Sequence, residues 1–345
     1  MKLPIDISAV MKAATHLDEV SDTPLAVSVY LDESAPKDLV AHVRSSYASA
    51  HPNARVSITY LDGPLSTRTE EDMAVIVAGD SVGVGRLAAQ IREDGIPVMV
   101  VSTSPRKVNQ AADQSGFEIP DGDLVFPELP PMKQKISELI QGDKYIALDA
   151  VEPIVLDKKA TAALDDRMGR WIIAACASKK LAFALAFSFV RRPLSEDSVT
   201  TTSLQNAGIG AAMFIPGADL PLMTLNQAKM LLQIAAAYGE PMNLDRVKEL
   251  AMVVGGAFLC RNLARQLCGL VPALGWAIKG AVGYGGTLAV GQAAIEYFES
   301  GGDLVGLAAV VQKARDGAVE VVQTAAKSDV LKNAVSGIKS KIQRS

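Results

Sequence analysis

This chain is poor in the residues that most often carry chemistry. Its 345 residues include three histidines, three cysteines and two tryptophans, and aromatic residues make up only 5%. His16, His42 and His51 are scattered, so no metal site is read from them. Cys176, Cys260 and Cys268 lack the paired spacing of a zinc or redox motif, and are expected to be reduced, buried small hydrophobes of a cytoplasmic protein. The first residues offer no secretory apolar stretch, because Asp6, Lys12, Asp18 and Glu19 interrupt it. No catalytic signature is present, so a cofactor is not expected. Charge is scarce too, at 21%, and between Gln266 and Ile295 the only charged side chain is Lys279.

What the chain has in abundance is small and apolar. Apolar residues are 49% and the mean hydropathy is +0.21, carried by Ala, Val, Leu, Ile and Gly. The stretch Leu204–Phe298 concentrates them and must be hidden from water. Charge divides unevenly: residues 1–150 hold 13 Lys and Arg against 22 Asp and Glu, a net −9, which leaves +5 for residues 151–345. An acidic front half argues against nucleic acid as a partner, while the basic, apolar back half suits an anionic membrane surface.

After an amphipathic helix over 5–20, short apolar runs alternate with helical periods from Pro24 onward. Strands are predicted at Leu25–Leu31, Val56–Leu61, Met73–Ala78, Ile96–Val101 and Leu124–Phe126, with helices around Val43, Leu87 and Val108 between them. This alternation predicts an α/β domain with an open, mostly parallel sheet covered on both faces. Ligands of such sheets bind beyond the carboxyl ends of the strands. A phosphate loop after the first strand would need two glycines, then Lys and a hydroxyl residue. Here Leu31 and Pro36 stand at the glycine positions, Lys37 follows, and Asp38 replaces the hydroxyl.

The order of these pieces resembles a small GTPase domain without its motifs, over roughly residues 24–142. Leu61-Asp62-Gly63-Pro64 stands where GTPases place Asp-x-x-Gly, and Ser102-Thr103-Ser104-Pro105 replaces the guanine-reading motif. A receiver-like or other doubly wound domain fits the same pattern. One feature retains a chemical meaning. Gly79-Asp80-Ser81-Val82-Gly83-Val84-Gly85 joins a strand to a helix, and its backbone amides would cradle an anion at the helix start. Lys37, Asp62, Gly79, Gly83 and Gly85 are therefore the candidate nucleotide-binding residues. The alternative is an ordinary strand-to-helix turn with Asp80 or Ser81 near the helix start.

Pro127–Pro131 ends the sheet pattern, and a domain boundary is expected between Gln141 and Lys158. Beyond it no strand alternation is read. Trp171–Val190 is apolar and Ser195–Thr202 reads as a polar loop. The run Ile215-Pro216-Gly217-Ala218-Asp219-Leu220-Pro221, the spaced Gln227, Met230, Ile234-Ala235 and Tyr238-Gly239, the Leu270-Val271-Pro272 break, and Gly286-Thr287 with Gly291 and Tyr297-Phe298 follow. These motifs resemble the bacterial domain of unknown function 697 over about residues 160–300. That helical domain stands behind Era-like GTPase domains and in an uncharacterised inner-membrane protein family. The resemblance implies a GTPase-like front domain whose departures at Leu31, Pro36, Asp38 and Ser102–Pro105 argue against GTP hydrolysis.

The last apolar segment has a pattern of its own. Ala277, Ala281, Gly285, Ala289 and Ala293 recur every four residues, with Gly283, Thr287 and Gly291 as a second stripe. Bare faces of this kind let helices approach closely in lipid, and equally inside a soluble bundle. Leu270–Ile295 is long enough to span a bilayer, whereas Ala207–Leu225 carries Pro216, Asp219 and Pro221. The expected organisation is an N-terminal helix over 1–23, a degenerate GTPase-like domain over 24–150, an all-α domain with a membrane-type helical hairpin over 158–300, and a basic amphipathic tail over 303–345. The expected role is that of a non-enzymatic interaction or scaffold protein at the cytoplasmic face of the inner membrane. Its expected partners are membrane lipids, a second copy or a GTPase. A nucleotide-binding switch and a wholly soluble helical-bundle protein are the alternatives.

Overall fold

A computed structural model describes residues 7–49, 51–61, 70–128, 152–212, 219–241 and 275–301. The chain divides into two compact units, one of Val20–Leu194 and the other of Met1–Glu19 with Ser195–Ser345. Helix α1 (Ile7–Ser21) comes first in the chain.

In the Val20–Leu194 unit the alternation of strands and helices is present as read. Strands β1 (Leu25–Leu31), β2 (Ala54–Tyr60), β3 (Met73–Val77), β4 (Val98–Val101) and β5 (Leu124–Val125) form a five-stranded, all-parallel sheet in the order β2-β1-β3-β4-β5. The connecting helices are α2 (Lys37–Ser46), α3 (Gly83–Glu93) and α4 (Pro105–Ser115). Strand order reverses between β1 and β3, and right-handed crossovers then send α2 to one face and α3 with α4 to the other. Tyr30, Ala74, Ile76, Val98, Val100 and Leu124 pack with Leu87, Ile91 and Val108 on the α3–α4 face. Val27, Val29, Leu31, Val75, Val77, Met99 and Val101 alternate with them and are buried as well. Because both faces are covered, the central strands read as continuous apolar runs rather than alternating ones.

This unit extends past the boundary expected between Gln141 and Lys158. Residues 129–151, and with them the helix read at Met132–Ile140, lie outside the described residues. Helix α5 (Lys158–Ala175), a 3-10 turn at Ala177–Lys179, α6 (Lys180–Ala186) and the start of α7 (Ser188–Ala212) all belong with the sheet. Side-chain chemistry explains why. Arg167 pairs with Glu128 at 3.0 Å and stacks over the Phe126 ring at 4.5 Å, while Tyr47 of α2 meets the rings of Phe187 and Phe189. Lys179 Nζ reaches Asp72 Oδ1 at 2.6 Å and the carbonyl of Pro24 at 2.9 Å. The apolar run Trp171–Val190 therefore spans the end of α5, the 3-10 turn, α6 and the start of α7, all within the unit that holds the sheet.

Cys176 sits in this packing, with its thiol pointed at the carbonyl of Asp72. Burial, and then the charge of Asp72, push its pKa from 9.0 to about 12. The folded pKa is raised, so the thiol's contribution to stability is whole below pH 9 and is lost as pH rises towards 12. The melting-temperature difference between wild type and Cys176→Ala is expected to shrink steadily between these two limits. A difference that is flat across that window would show the thiol to be accessible.

The described residues of the second unit are helical. Helices α1, the later part of α7, α8 (Asp219–Ala237) and α9 (Gly275–Glu299) contribute its described core. Val10 and Ala14 pack with Val199, Leu231, Ile234, Ala235, Ile295, Tyr297 and Phe298, which gives the amphipathic first helix a partner. The polar loop read at Ser195–Thr202 is instead the middle of α7. Ser195, Ser198, Val199, Thr202, Ser203 and Asn206 are buried, and that spacing is helical even though most of the residues are polar. Pro193 lies within α7, where Gly169 of α5 leaves room: a methyl group there would lie 2.7 Å from the proline ring and 2.9 Å from the Phe189 carbonyl.

The two arms of the expected membrane hairpin are described only in part, since 213–218 and 270–274 lie outside the described residues, as do the helix read at Val247–Leu267 and the tail beyond 301. Among the described residues no helix is long and apolar enough to cross a membrane.

Candidate functional site at the carboxyl edge of the sheet

The reversal of strand order puts the loop after β1 beside the loop after β3, the usual ligand crevice of a doubly wound sheet. Asp32 follows β1 directly and is 4% exposed. Its Oδ2 accepts from Gly79 N at 2.9 Å, Ser34 Oγ at 2.7 Å and Ser81 N at 3.4 Å, and its Oδ1 accepts from Ser34 N at 3.0 Å. Ser34 Oγ in turn accepts from Asp80 N at 2.9 Å, and Ser81 Oγ accepts from Gly83 N at 3.4 Å. In the turn before α3 the amides of Gly79, Asp80, Ser81 and Gly83 are thus bonded within the chain, two of them to one carboxylate. The carboxylate therefore sits in the turn that leads into α3, near a helix end that favours negative charge.

The sequence-predicted residues fare differently from one another. Gly79 is in the cradle, and its lack of a side chain is required, because a Cβ there would overlap the backbone of Ser34. Gly83 opens α3 with space around it. Gly85 serves helix packing, since a Cβ would overlap the carbonyl of Phe117 and press on Ala112 of α4. Lys37 is exposed at the first position of α2, whose N-cap is Pro36, with no side-chain cap. Asp62 lies outside the described residues. Asp32 was not singled out from sequence, although an Asp two residues before a Ser at the end of an apolar strand is an Asx-turn signal.

The next helix start along this edge is treated in the same way. Glu152 Oε1 accepts from Arg106 N at 3.1 Å in the first turn of α4, and Ile154 N donates to the Thr103 carbonyl at 2.8 Å. Ser102 Oγ accepts from Ser104 N at 3.0 Å. Thr103 Oγ1, in a residue 1% exposed, has no hydrogen-bond partner among the described residues.

His42, Ser46 and Asp165 form a hydrolase-like trio by composition only. Asp165 Oδ1 at 2.8 Å and Ser46 Oγ at 3.4 Å both face the same ring nitrogen, Nε2 of His42. A relay needs the carboxylate and the nucleophile on opposite nitrogens. Among the described residues no cluster of His, Cys, Asp and Glu would hold a metal ion.

The helical unit contains a buried polar cluster. Thr287 Oγ1 of α9 accepts from Asn206 Nδ2 of α7 at 2.9 Å and from Gln227 Nε2 of α8 at 3.0 Å, and donates to the Gly283 carbonyl at 2.7 Å. Asn226 Nδ2 donates to Asn206 Oδ1 at 3.0 Å, and Asn206 Nδ2 also reaches the Met223 carbonyl at 3.3 Å. One hydroxyl therefore joins three helices. The small stripe beside it is used inside the chain: a Cβ at Gly283 would lie 2.6 Å from the Asn206 carbonyl, and one at Gly291 would overlap Val199. Of the other stripe, Gly285 is buried and Ala289 half-buried, while the side chains of Ala277 and Ala281 lie outside the described residues.

Set against known proteins, the chain matches no protein-family model, no curated protein and no solved structure.

Proposed function

We propose that this is a non-catalytic, membrane-associated interaction protein, in which a GTPase-like sheet unit docks a partner and the helical unit sets location. The observation that carries the first half is the Asp32 carboxylate, which takes the amides where a doubly wound domain would receive a phosphate. Isothermal titration of the full chain with guanine and adenine nucleotides tests it, and no heat is expected from any of them. Saturable heat that disappears on substitution of Lys37 would establish the nucleotide-binding switch instead.

The second half is supported by composition: α9 carries Lys279 as its one charge before Glu296. The motif residues behind the resemblance to the bacterial domain of unknown function 697 also pack together. Gln227 meets Thr287, and the Tyr238 ring stacks on Phe298 with centroids 5.9 Å apart. A specific observation favours the wholly soluble bundle as the second reading, namely that Gly283 and Gly291 already pack against the chain's own helix α7. Fractionation of expressing cells separates the two. Retention of the protein in membranes through an alkaline carbonate wash is expected; recovery in the soluble fraction from the start would favour the bundle.

A further inference from the structure

We propose that β2 is a self-association edge, along which a second copy of this chain adds its own β2 antiparallel and joins the two sheets into one. Among the described residues the sheet has two borders, and they are built differently. β5, at one end, is two residues long, a common way of blunting an edge. β2, at the other, runs for seven residues in unbroken register with β1, and its sequence Ala-Arg-Val-Ser-Ile-Thr-Tyr has no Lys, Pro, Gly or bulge to discourage pairing. Ile58 is 43% and Tyr60 50% exposed.

The backbone is set up for the pairing. Leu25 N donates to the Asn53 carbonyl and Leu61 N donates to the Leu31 carbonyl, so the odd-numbered residues of this strand bond to β1. A parallel ladder alternates, which turns the N–H and C=O of Val56, Ile58 and Tyr60 outward. Among the described residues nothing bonds to them.

The occupant follows from reading β2 against its own reversal. A two-fold axis through Ser57 sets Val56 opposite Ile58 of the second copy and Ala54 opposite its Tyr60, apolar on apolar. On the other face Ser57 meets Ser57, and Arg55 meets Thr59. The one charge, Arg55, is already held at 3.1 Å by Glu71 of its own chain, so no like charges oppose each other. An interface that is its own complement under a two-fold is what a closed dimer requires. The inference holds whether or not the helical unit meets a membrane.

Sedimentation velocity of the full chain, in whatever buffer or mild detergent keeps it dispersed, tests the proposal. A concentration-dependent dimer is expected. Ile58→Lys and Val56→Pro are each expected to raise its dissociation constant at least tenfold. Val56→Pro removes an N–H that faces away from β1, so it leaves the fold's own ladder whole, and far-UV circular dichroism is expected to be unchanged. Register is read separately with Ser57→Cys. Opposed non-hydrogen-bonded residues have Cα atoms about 4.5 Å apart, within disulfide reach, so mild oxidation is expected to yield a 57-to-57 link by peptide mapping. A monomer at every concentration, a dimer indifferent to both Ile58→Lys and Val56→Pro, or a link to another position would overturn the proposal.

Discussion

Asp32→Ala is expected to destabilise the Val20–Leu194 unit by about 2–3 kcal/mol, because the change leaves buried donors without an acceptor. Gly79 N is buried and has this carboxylate as its partner at 2.9 Å. Ser34 loses both of its bonds to Asp32, and with them the geometry that lets its Oγ accept from Asp80 N. Asp32→Asn is expected to be nearly as costly, since half of the amide is a donor aimed at donors. Urea unfolding followed by far-UV circular dichroism measures the loss. Formate supplies the group that alanine deletes, so millimolar formate is expected to restore part of the stability of Asp32→Ala and none to the wild type. An Asp32→Ala variant as stable as wild type, yet altered in binding some ligand, would show that the carboxylate serves a ligand rather than the fold.

A comparable loss is expected in the helical unit from Gly291→Ala, about 2–3 kcal/mol of overpacking strain. The added methyl would overlap the side chain of Val199, itself fully buried in the core. Val199→Ala alone makes a cavity and is destabilising. Combined with Gly291→Ala it vacates the space the new methyl needs. The double variant is expected to be more stable than the sum of the two single losses, with a coupling of about 1–2 kcal/mol. Additive losses would place Gly291 against something other than α7, and a lipid-facing or intermolecular use of the small stripe would then be favoured.

Much of the sheet was legible because each strand is a short β-branched run between breakers. Pro24 and Asp32 bracket β1, and Leu25–Leu31 is the strand that was read. Helices α2 to α4 declared themselves by spacing, through Leu39 and Val43, then Leu87 and Ile91, then Val108 and Ala112. Ser195–Thr202 misled because composition was weighed above spacing. Its serines and threonines are small enough to be buried in a helix, and Ser198 Oγ there donates to Gln233 Oε1 of α8 at 2.9 Å. The site was less legible than the fold. The glycines of the β3–α3 turn are visible locally, but what fills the turn comes from Asp32, far upstream, and only the strand order brings the two together. Gln227 and Thr287 stood out one by one as motif residues, while their shared bond is a property of three packed helices. The reach of α5 and α6 back to the sheet was hidden for the same reason: Lys179 and Asp72 have ordinary surface identities until the chain has folded.

The carboxylate beneath the β3–α3 turn has a consequence for the turn's chemistry. A group held in place by the fold meets these amides without the loss of translational and rotational freedom that a diffusing solute incurs on binding. A phosphate could reach the Gly79 and Ser81 amides only by displacing this carboxylate. The partner of these two amides thus arrives with the fold itself, supplied by the strand order that sets the β1 loop beside the β3 loop.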